Sequence, residues 1–424
     1  MKDALELNVY RTFSDGSRVL MGHVASDGDE IWYRFDQNYL VEHPKGNPSP
    51  IRTPYTHKPI LGPDRPNAGL HGFLADSLPD GWGLRLMDRV FENHGLDPMS
   101  VTPLERLAFI GNRATGALSF EPVHPAAALE ENSLTEITEL GQSAVSFYDS
   151  ATDDVLRSVV ESGSSAGARP KSMLWIRPDG KSASTQPIPD GEPWLIKFTS
   201  KHLPLGHEEG IWEAAALSAA RAAGVRTQEW RLFDGPAAPE PQRWLGVRRF
   251  DRTTNGRLLF ASTAGLLDAD FRLPALDYSS LLRLTSVLTK SAADSAELVR
   301  RALFNFLIMN ADDHAKNFGF LLSDEDEWRL SPAYDVTYSP GISGEHSTAF
   351  LGCGKHLTRD AVLKMAALAS LGTAEMRTIS EDVAAGAEKL VPTALALGAK
   401  KKTAERVKKA LKENLARNAA ALGL

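Results

Sequence analysis

Asn310-Ala311-Asp312-Asp313-His314-Ala315-Lys316-Asn317-Phe318-Gly319-Phe320, followed by Leu330-Ser331-Pro332-Ala333-Tyr334-Asp335, decides how this chain is read. Asp312 and Asn317 form an Asp-x4-Asn pair, and Asp335 stands beyond a short hairpin. Phosphoryl transfer from ATP asks for such a set. One carboxylate sits by the attacking hydroxyl, while an amide oxygen and a second carboxylate hold magnesium on the phosphates. The apolar run Phe318 to Leu322, the polar turn Ser323-Asp324-Glu325-Asp326-Glu327 and the run Trp328-Arg329-Leu330 predict two strands and a tight turn. Asn317 and Asp335 flank that hairpin, so both can reach one metal. Magnesium prefers oxygen ligands and keeps several waters, so one amide and one carboxylate suffice. Acidic clusters are often only solvated turns, but Asp312 and Asn317 lie outside the acidic turn.

Around this element, 424 residues suffice for two or three domains with real cores. A net charge of -7 gives no global field toward nucleic acid or membrane. Cys353 is the single cysteine, which excludes intramolecular disulfides and thiolate zinc sites and suits a reducing compartment. The start, Met1 to Asn8, carries charges and no apolar h-region, so no signal peptide is expected. No run reaches the roughly 20 apolar residues of a membrane helix. A soluble, cytoplasmic protein is expected.

Antiparallel strands are expected at Leu7 to Arg11, Val19 to Ala25 and Ile31 to Phe35, separated by Ser-Asp-Gly turns. Helical spacing follows over Phe73 to Asn93, with Leu78-Pro79-Asp80-Gly81-Trp82-Gly83 at its start, and over Leu104 to Phe109. Pro, Ala and Glu dominate 121 to 150. A second β-rich unit has strands at Met173 to Arg177, Trp194 to Phe198, Glu229 to Phe233 and Trp244 to Arg249, with a helix from His207 to Ala223. Helices are then expected at Tyr278 to Leu288, Ala293 to Met309, Thr358 to Leu371 and Ser380 to Leu397. The organisation read from this is a subdomain at 1–122, a linker at 123–150, a small lobe at 151–255 and a helical lobe at 256–424.

An ATP site also needs backbone donors and a lysine on the phosphates. Ser162-Gly163-Ser164-Ser165-Ala166-Gly167-Ala168-Arg169-Pro170-Lys171 is a run of small residues entering a strand, and small side chains let N–H groups approach phosphate oxygens. It is neither a Walker loop nor a strict G-x-G-x-x-G, so alone it reads as a flexible loop. Lys197 interrupts the apolar strand Trp194-Leu195-Ile196-Lys197-Phe198. In isolation an edge-strand lysine facing water explains it; here it can pair the α- and β-phosphates, with Glu213 on the next helix as its ion-pair partner.

Together these segments resemble the HipA family, serine/threonine-kinase toxins of bacterial type II toxin–antitoxin pairs. The likeness rests on Ala166 to Lys171, Ile196-Lys197-Phe198, Val247-Arg248-Arg249-Phe250-Asp251-Arg252, Asp312 to Phe318 and Ser331 to Asp335. Leu78 to Gly83 and Gly116-Ala117-Leu118 resemble the extra domain of full-length members. The resemblance implies an α+β, bilobal kinase-like fold. Its N-terminal lobe is β-rich and includes an extra N-terminal subdomain; its C-terminal lobe is all-α. It makes Asp312 the catalytic base, Asn317 and Asp335 the Mg2+ ligands, and Lys197 the phosphate lysine. Ala166, Gly167, Ala168, Arg169, Pro170 and Lys171 become the phosphate loop, and the backbone of Arg248, Arg249 and Phe250 the adenine hinge. His314, Ala315, Lys316, Asn317, Tyr334 and Asp335 line the ATP. Ser164, or Ser162 two residues earlier, takes the place of the autophosphorylated loop serine. The implied partners are a HipB-like helix-turn-helix antitoxin, operator DNA through that complex, and an aminoacyl-tRNA synthetase as protein substrate; no membrane is involved. Two features depart from the family: Arg248 stands where the hinge is often acidic, and no Asp-Phe-Gly is present.

Other readings remain. A small-molecule kinase shares the Asp-x4-Asn and distal Asp, and a catalytically suppressed co-repressor would hold antitoxin and DNA. A metal-dependent hydrolase on Asp312, Asp313 and His314 is the weaker option. No H-E-x-x-H and no nucleophile elbow is present, against a zinc or serine hydrolase. The basic segment from Lys400-Lys401-Lys402, with Val407, Leu411, Leu415 and Leu422, reads as a solvated face over an apolar stripe; contact with DNA or tRNA is the sharper alternative.

Overall fold

In the computed structural model, residues 5–27, 30–127, 134–150, 159, 167–237, 241–274, 276–341 and 343–424 are described. Ser162, Ser164 and Ala166 lie outside them.

Alternating apolar residues near the start form β1 (Glu6–Thr12), β2 (Arg18–Asp27) and β3 (Glu30–Phe35), which β4 (Ile60–Leu61) and β5 (Leu118–Glu121) complete in the order β4-β3-β2-β1-β5. The register shifts between Val9 and Tyr10, and this bulge lets Met21 and Val24, at opposite parity, both turn inward. The helical spacing over 73–93 resolves into Gly72–Ala75 and Gly81–Asn93. Pro79 separates them, because it lacks an N–H and disfavours helix at the residue before it. A capping box of Thr102 and Glu105, with Pro103 at the first helical position, starts the helix Pro103–Ile110.

The second sheet comprises β6 (Thr135–Glu136), β7 (Lys171–Ile176), β8 (Ser182–Ser184), β9 (Glu192–Lys197), β10 (Trp230–Asp234) and β11 (Arg243–Arg248), in the order β10-β11-β9-β7-β8-β6. Successive side chains along a strand point to opposite faces. One face buries Leu174, Ile176, Trp194, Ile196 and Trp244 against Leu140, Ala144 and Phe147 of the helix Ile137–Tyr148. The other turns Lys171, Met173, Leu195, Lys197 and Val247 toward a cleft. Residues 135–148, inside the segment read as a linker, thus add an edge strand and a covering helix to this sheet. The apolar positions 137, 140, 144 and 147 carry the helical period, but the Ala- and Glu-rich surroundings obscure it.

The third part is helical in bulk: Tyr278–Thr289, Ala292–Ile308, Arg359–Leu368, Thr373–Glu388, Leu390–Ala396 and Lys401–Leu422. The single helix expected over 380–397 is two, and Pro392 sits in the first turn of the second, where a missing N–H costs nothing. Set into the helices is a small sheet of β12 (Leu259–Ser262), β14 (Gly319–Leu322) and β15 (Trp328–Leu330), and β13 (Leu276–Asp277) pairs in parallel with β16 (Thr348–Ala349). The β14–β15 hairpin lies where its sequence places it. Its acidic turn does more than meet water: buried Arg11 donates to Asp326 at 2.9 Å and to the Ser323 carbonyl at 2.7 Å, and Ser14 N–H donates to Asp324 at 3.2 Å. That turn therefore fastens the N-terminal sheet to the helical part. In Lys401–Leu422, Val407 and Leu422 are buried, as the apolar stripe requires.

Gly141 tests the packing of the covering helix. Alanine in mid-helix would ordinarily gain about 1 kcal/mol over glycine. Here its Cβ would stand 2.2 Å from the ring of buried Trp244. Gly141→Ala is expected to lose ~1–3 kcal/mol through overpacking, read as a lower urea midpoint. A more stable variant would show that this helix does not lie on the sheet.

Candidate active site

Two lysines define the cleft. Lys171 and Lys197 are direct partners across the antiparallel β7–β9 ladder, so their side chains leave the same face. Like charges so placed repel, and both are largely buried. Carboxylates from two other elements make the arrangement tenable. Glu213, from the helix Glu209–Ala222 above the sheet, accepts from Lys197 Nζ at 2.5 Å, and Asp335 accepts from the same Nζ. Burial opposes the charge of Lys197, but Asp335 and Glu213 outweigh it and hold the ammonium above the ordinary lysine range. For Lys171 burial prevails and pulls it down to about 8, against the attraction of Asp335. Burial also works against ionising Asp335, yet Lys197 and Lys171 keep its carboxyl well below the usual range.

The opposite wall comes from the segment after Ala292–Ile308. Met309 closes that helix in the left-handed conformation (φ 58°), and the chain turns into Asp312. Asp313 anchors the turn from beneath: its carboxylate accepts from Tyr278 OH at 2.7 Å and Thr348 N–H at 3.1 Å, and lies 2.9 Å from His346 Nδ1. Asp313 is thus buried scaffolding, which removes it from any hydrolytic trio with Asp312 and His314. The Asp312 side chain is 61% exposed at the cleft mouth. The protein around it still removes water; with the nearby Asp335 charge this raises its pKa, while His314 pulls the other way. Asn317 donates its Nδ2 to the Asp312 carbonyl at 2.6 Å, which leaves Oδ1 as the donor toward a cation. Asn317 Oδ1 and the Asp335 carboxylate are a hard, all-oxygen pair that suits magnesium.

The cleft encloses about 200 Å3 and brings together Gly167, Ala168, Arg169, Lys171, Lys197, Glu213, Arg249, Phe250, Asp312, His314, Lys316, Asn317, Tyr334 and Asp335. Three expected residues do not line it. Pro170 and Ala315 are buried behind it, and Arg248 points out to Glu192 at 2.8 Å. The backbone of the expected hinge is also partly engaged. The N–H groups of Arg248 and Arg249 donate to the Glu229 and Pro193 carbonyls, so the Phe250 N–H is the donor left for a ligand. The Phe250 ring leans on Phe260 and Tyr334, with centroids 5.9 and 5.8 Å away, and gives the cleft an apolar end.

Asp80 has a place in this site that sequence reading did not assign. At the N-cap of Gly81–Asn93, its carboxylate accepts from the Gly167 N–H and from Lys316 Nζ, the latter at 2.8 Å. Trp82 N–H donates back to the Gly167 carbonyl at 3.1 Å, and Trp82 Nε1 to the Lys171 carbonyl at 2.9 Å. Gly167 has φ +113°, a backbone conformation that residues with a Cβ rarely adopt, so glycine is required there. The signal was present in Leu78 to Gly83, but what it binds lies far away in sequence. Asp76, Gln228 and Phe271 also line the cleft unannounced.

Residues 163–391 match the model of the HipA-like C-terminal domain, and residues 16–121 that of the HipA N-terminal domain. The chain belongs to the HipA family. Over 171 residues this HipA-family chain is 34% identical to a candidate kinase, Y4dM, of Sinorhizobium fredii, covering 38% of this chain and 41% of that protein. It therefore spans about two fifths of the length of that curated relative. The HipA of Shewanella oneidensis MR-1, solved with HipB and its operator DNA, superposes with a TM-score of 0.66 at 17% identity over 99% of this chain and 98% of that one, a likeness of fold. The Helicobacter pylori proinflammatory kinase CtkA aligns at a TM-score of 0.38 and 13% identity, over 59% of this chain and 92% of that one, which is too low to argue from. The fold is α+β, bilobal and kinase-like, and among the described residues no helix is long and apolar enough to cross a membrane.

Lys171 carries a cost that can be measured. Its folded pKa, about 8, lies below the ordinary 10.5, so at neutral pH the folded state holds a charge that the unfolded state holds more easily. Stability should therefore rise as pH climbs from about 8 toward 10.5. Lys171→Met is expected to stabilise the chain at pH 7 by on the order of 2 kcal/mol and to flatten that rise. Melting curves across pH check both; a less stable variant would mean that the attractions on the ammonium outweigh the cost of burying it.

Proposed function

We propose that this HipA-family protein is an ATP- and magnesium-dependent serine/threonine protein kinase and the toxin of a toxin–antitoxin pair. One observation carries the reading: Asp312, Asn317 and Asp335 from the helical lobe converge on one cleft with Lys197 and Glu213 from the sheet. Lys197 and Lys171 would meet the phosphates, with Arg169 beside them; its guanidinium is anchored on Glu209 at 2.8 Å. Adenine would lie against Phe250 and Val247. Asn317 and Asp335 would hold magnesium, which neutralises charge on the phosphates when bound. Asp312 accepts the proton of the attacking hydroxyl, and its raised pKa makes it the stronger base. Its exposure at the mouth of the cleft suits a hydroxyl delivered on another protein.

By resemblance, the protein substrate is a component of translation such as an aminoacyl-tRNA synthetase. The fold shared with Shewanella HipA, which was solved with HipB and operator DNA, supports a HipB-like antitoxin and DNA as partners. The kinase would act in the cytoplasm. We further propose that Ser164 or Ser162 is autophosphorylated. Phosphate there adds about two negative charges beside those of ATP, which would expel the loop and silence the enzyme.

Labelled ATP with magnesium tests the base. Asp312→Asn should lower transfer about 10²–10⁴-fold, Asp335→Asn should weaken the metal site, and only the active protein should carry phosphate on Ser164 or Ser162 by peptide mass spectrometry. Full transfer by Asp312→Asn would remove the base assignment. Binding is tested separately. Magnesium–ATP at a hundred times its Kd should stabilise the wild type by about 2.7 kcal/mol, and Lys197→Ala should lose most of that gain. A wild-type melting temperature that ATP never moves would defeat the kinase reading.

A further inference from the structure

Gln228 sits where the two lobes meet, between the helix Glu209–Ala222 and β10, and it lines the cleft with Val247 and Phe250. Its backbone is fixed on both sides. The N–H donates to the Ala333 carbonyl at 3.3 Å, and the carbonyl accepts from Arg221 Nη2 at 3.0 Å. The side chain, 8% exposed as a residue, reaches the expected hinge: Nε2 faces the Arg248 carbonyl at 3.5 Å. That distance is long for a hydrogen bond and adds little strength, but it decides which way the carboxamide faces. Turned over, the amide would set its oxygen against the Arg248 oxygen, two acceptors with no proton between them. Oε1 is therefore the free end. Among the described residues it accepts no hydrogen bond, and it is not sealed from solvent.

Its surroundings give that oxygen a use. Arg248 does not line the cleft, and Gln228 lies against its carbonyl, so the acceptor offered to a ligand there is Gln228 Oε1. The N–H groups of Arg248 and Arg249 are engaged in strand pairing, which leaves the Phe250 N–H as a donor. One donor and one acceptor match the reading edge of adenine, which accepts at N1 and donates from its 6-amino group. A 6-oxo purine presents the reverse, a proton on N1 and an acceptor at position 6. Asn317 is the only other carboxamide lining the cleft among the described residues, and its oxygen is assigned to the cation. A polar group in a closed site discriminates strongly, because the wrong ligand leaves it without a partner and without water.

We propose that Gln228 is a specificity-determining residue of the nucleotide site. Its Oε1 accepts from the 6-amino group of adenine, and the Arg248 carbonyl keeps the carboxamide from turning over to welcome a 6-oxo purine. The inference rests on the kinase reading and names the residue by which the cleft tells ATP from nucleotides of the guanine and inosine kind.

Calorimetric titration of the full chain with magnesium–ATP and magnesium–ITP tests it, because inosine differs from adenosine only at that edge. The wild type should prefer ATP about a hundredfold, about tenfold from each of the two positions read. Gln228→Met, close in length and volume, should lower the ratio of the two affinities about tenfold and leave the share of the Phe250 N–H. Gln228→Asn, whose amide is one methylene too short, should act in the same direction and covers the case in which Gln228→Met does not fold. A fold that was merely loosened would weaken both nucleotides and leave their ratio as it was. ATP binding with the full preference kept in the folded variants overturns the role of Gln228 and leaves the kinase reading standing. Equal binding of ATP and ITP by the wild type does the same. A wild type that binds neither nucleotide overturns both.

Discussion

Two ammonium groups facing each other across one antiparallel ladder impose the constraint on which this molecule turns. Lys171 and Lys197 cannot share a buried face unless negative charge is brought to them. Their own sheet does not bring it. Glu213 arrives on the packed helix above, and Asp335 from beyond the β14–β15 hairpin in the other lobe. The ion cluster therefore ties the lobes together through the residues to which the proposed chemistry is assigned. Phosphate groups entering there would meet cations already poised and would exchange one set of negative partners for another.

Such a cluster contributes little as glue, because desolvation offsets most of the attraction between buried charges. Stability comes instead from the apolar layers. The all-round buried helix Glu209–Ala222 is rich in alanine, so its backbone can lie close to β11: a Cβ on Gly210 would stand 3.0 Å from backbone atoms there. That closeness is what lets a side chain as short as Glu213 reach Lys197.

How much was legible follows from how local each signal is. The Asp-x4-Asn loop, the distal Asp335 and the interrupted strand around Lys197 are short patterns with a chemical reason, and the fold gathers them in one cleft. The first three strands are readable because one face alternates. The covering helix 137–148 is not, since its four apolar positions sit in an Ala- and Glu-rich stretch that resembles a linker. β12 is four residues long and has no alternation to read until β14 pairs with it. Asp80 shows the other limit: its motif is visible, but its partners Gly167 and Lys316 are 87 and 236 positions away. At Arg248 strand pairing, not local sequence, decides what is available: its N–H is already given to the Glu229 carbonyl.

Asp80 also makes the N-terminal part a mechanical member of the machine. One carboxylate holds Gly167 on one side and Lys316, beside Asp312 and Asn317, on the other, and it is mounted at the start of a thirteen-residue helix. Hydrogen bonds of this kind weaken steeply once the donor–hydrogen–acceptor angle falls toward about 120°. A small rotation of that helix would therefore be felt at both walls of the cleft together. Anything that shifts that helix would act on Gly167 and Lys316 at once, without touching whatever the cleft holds.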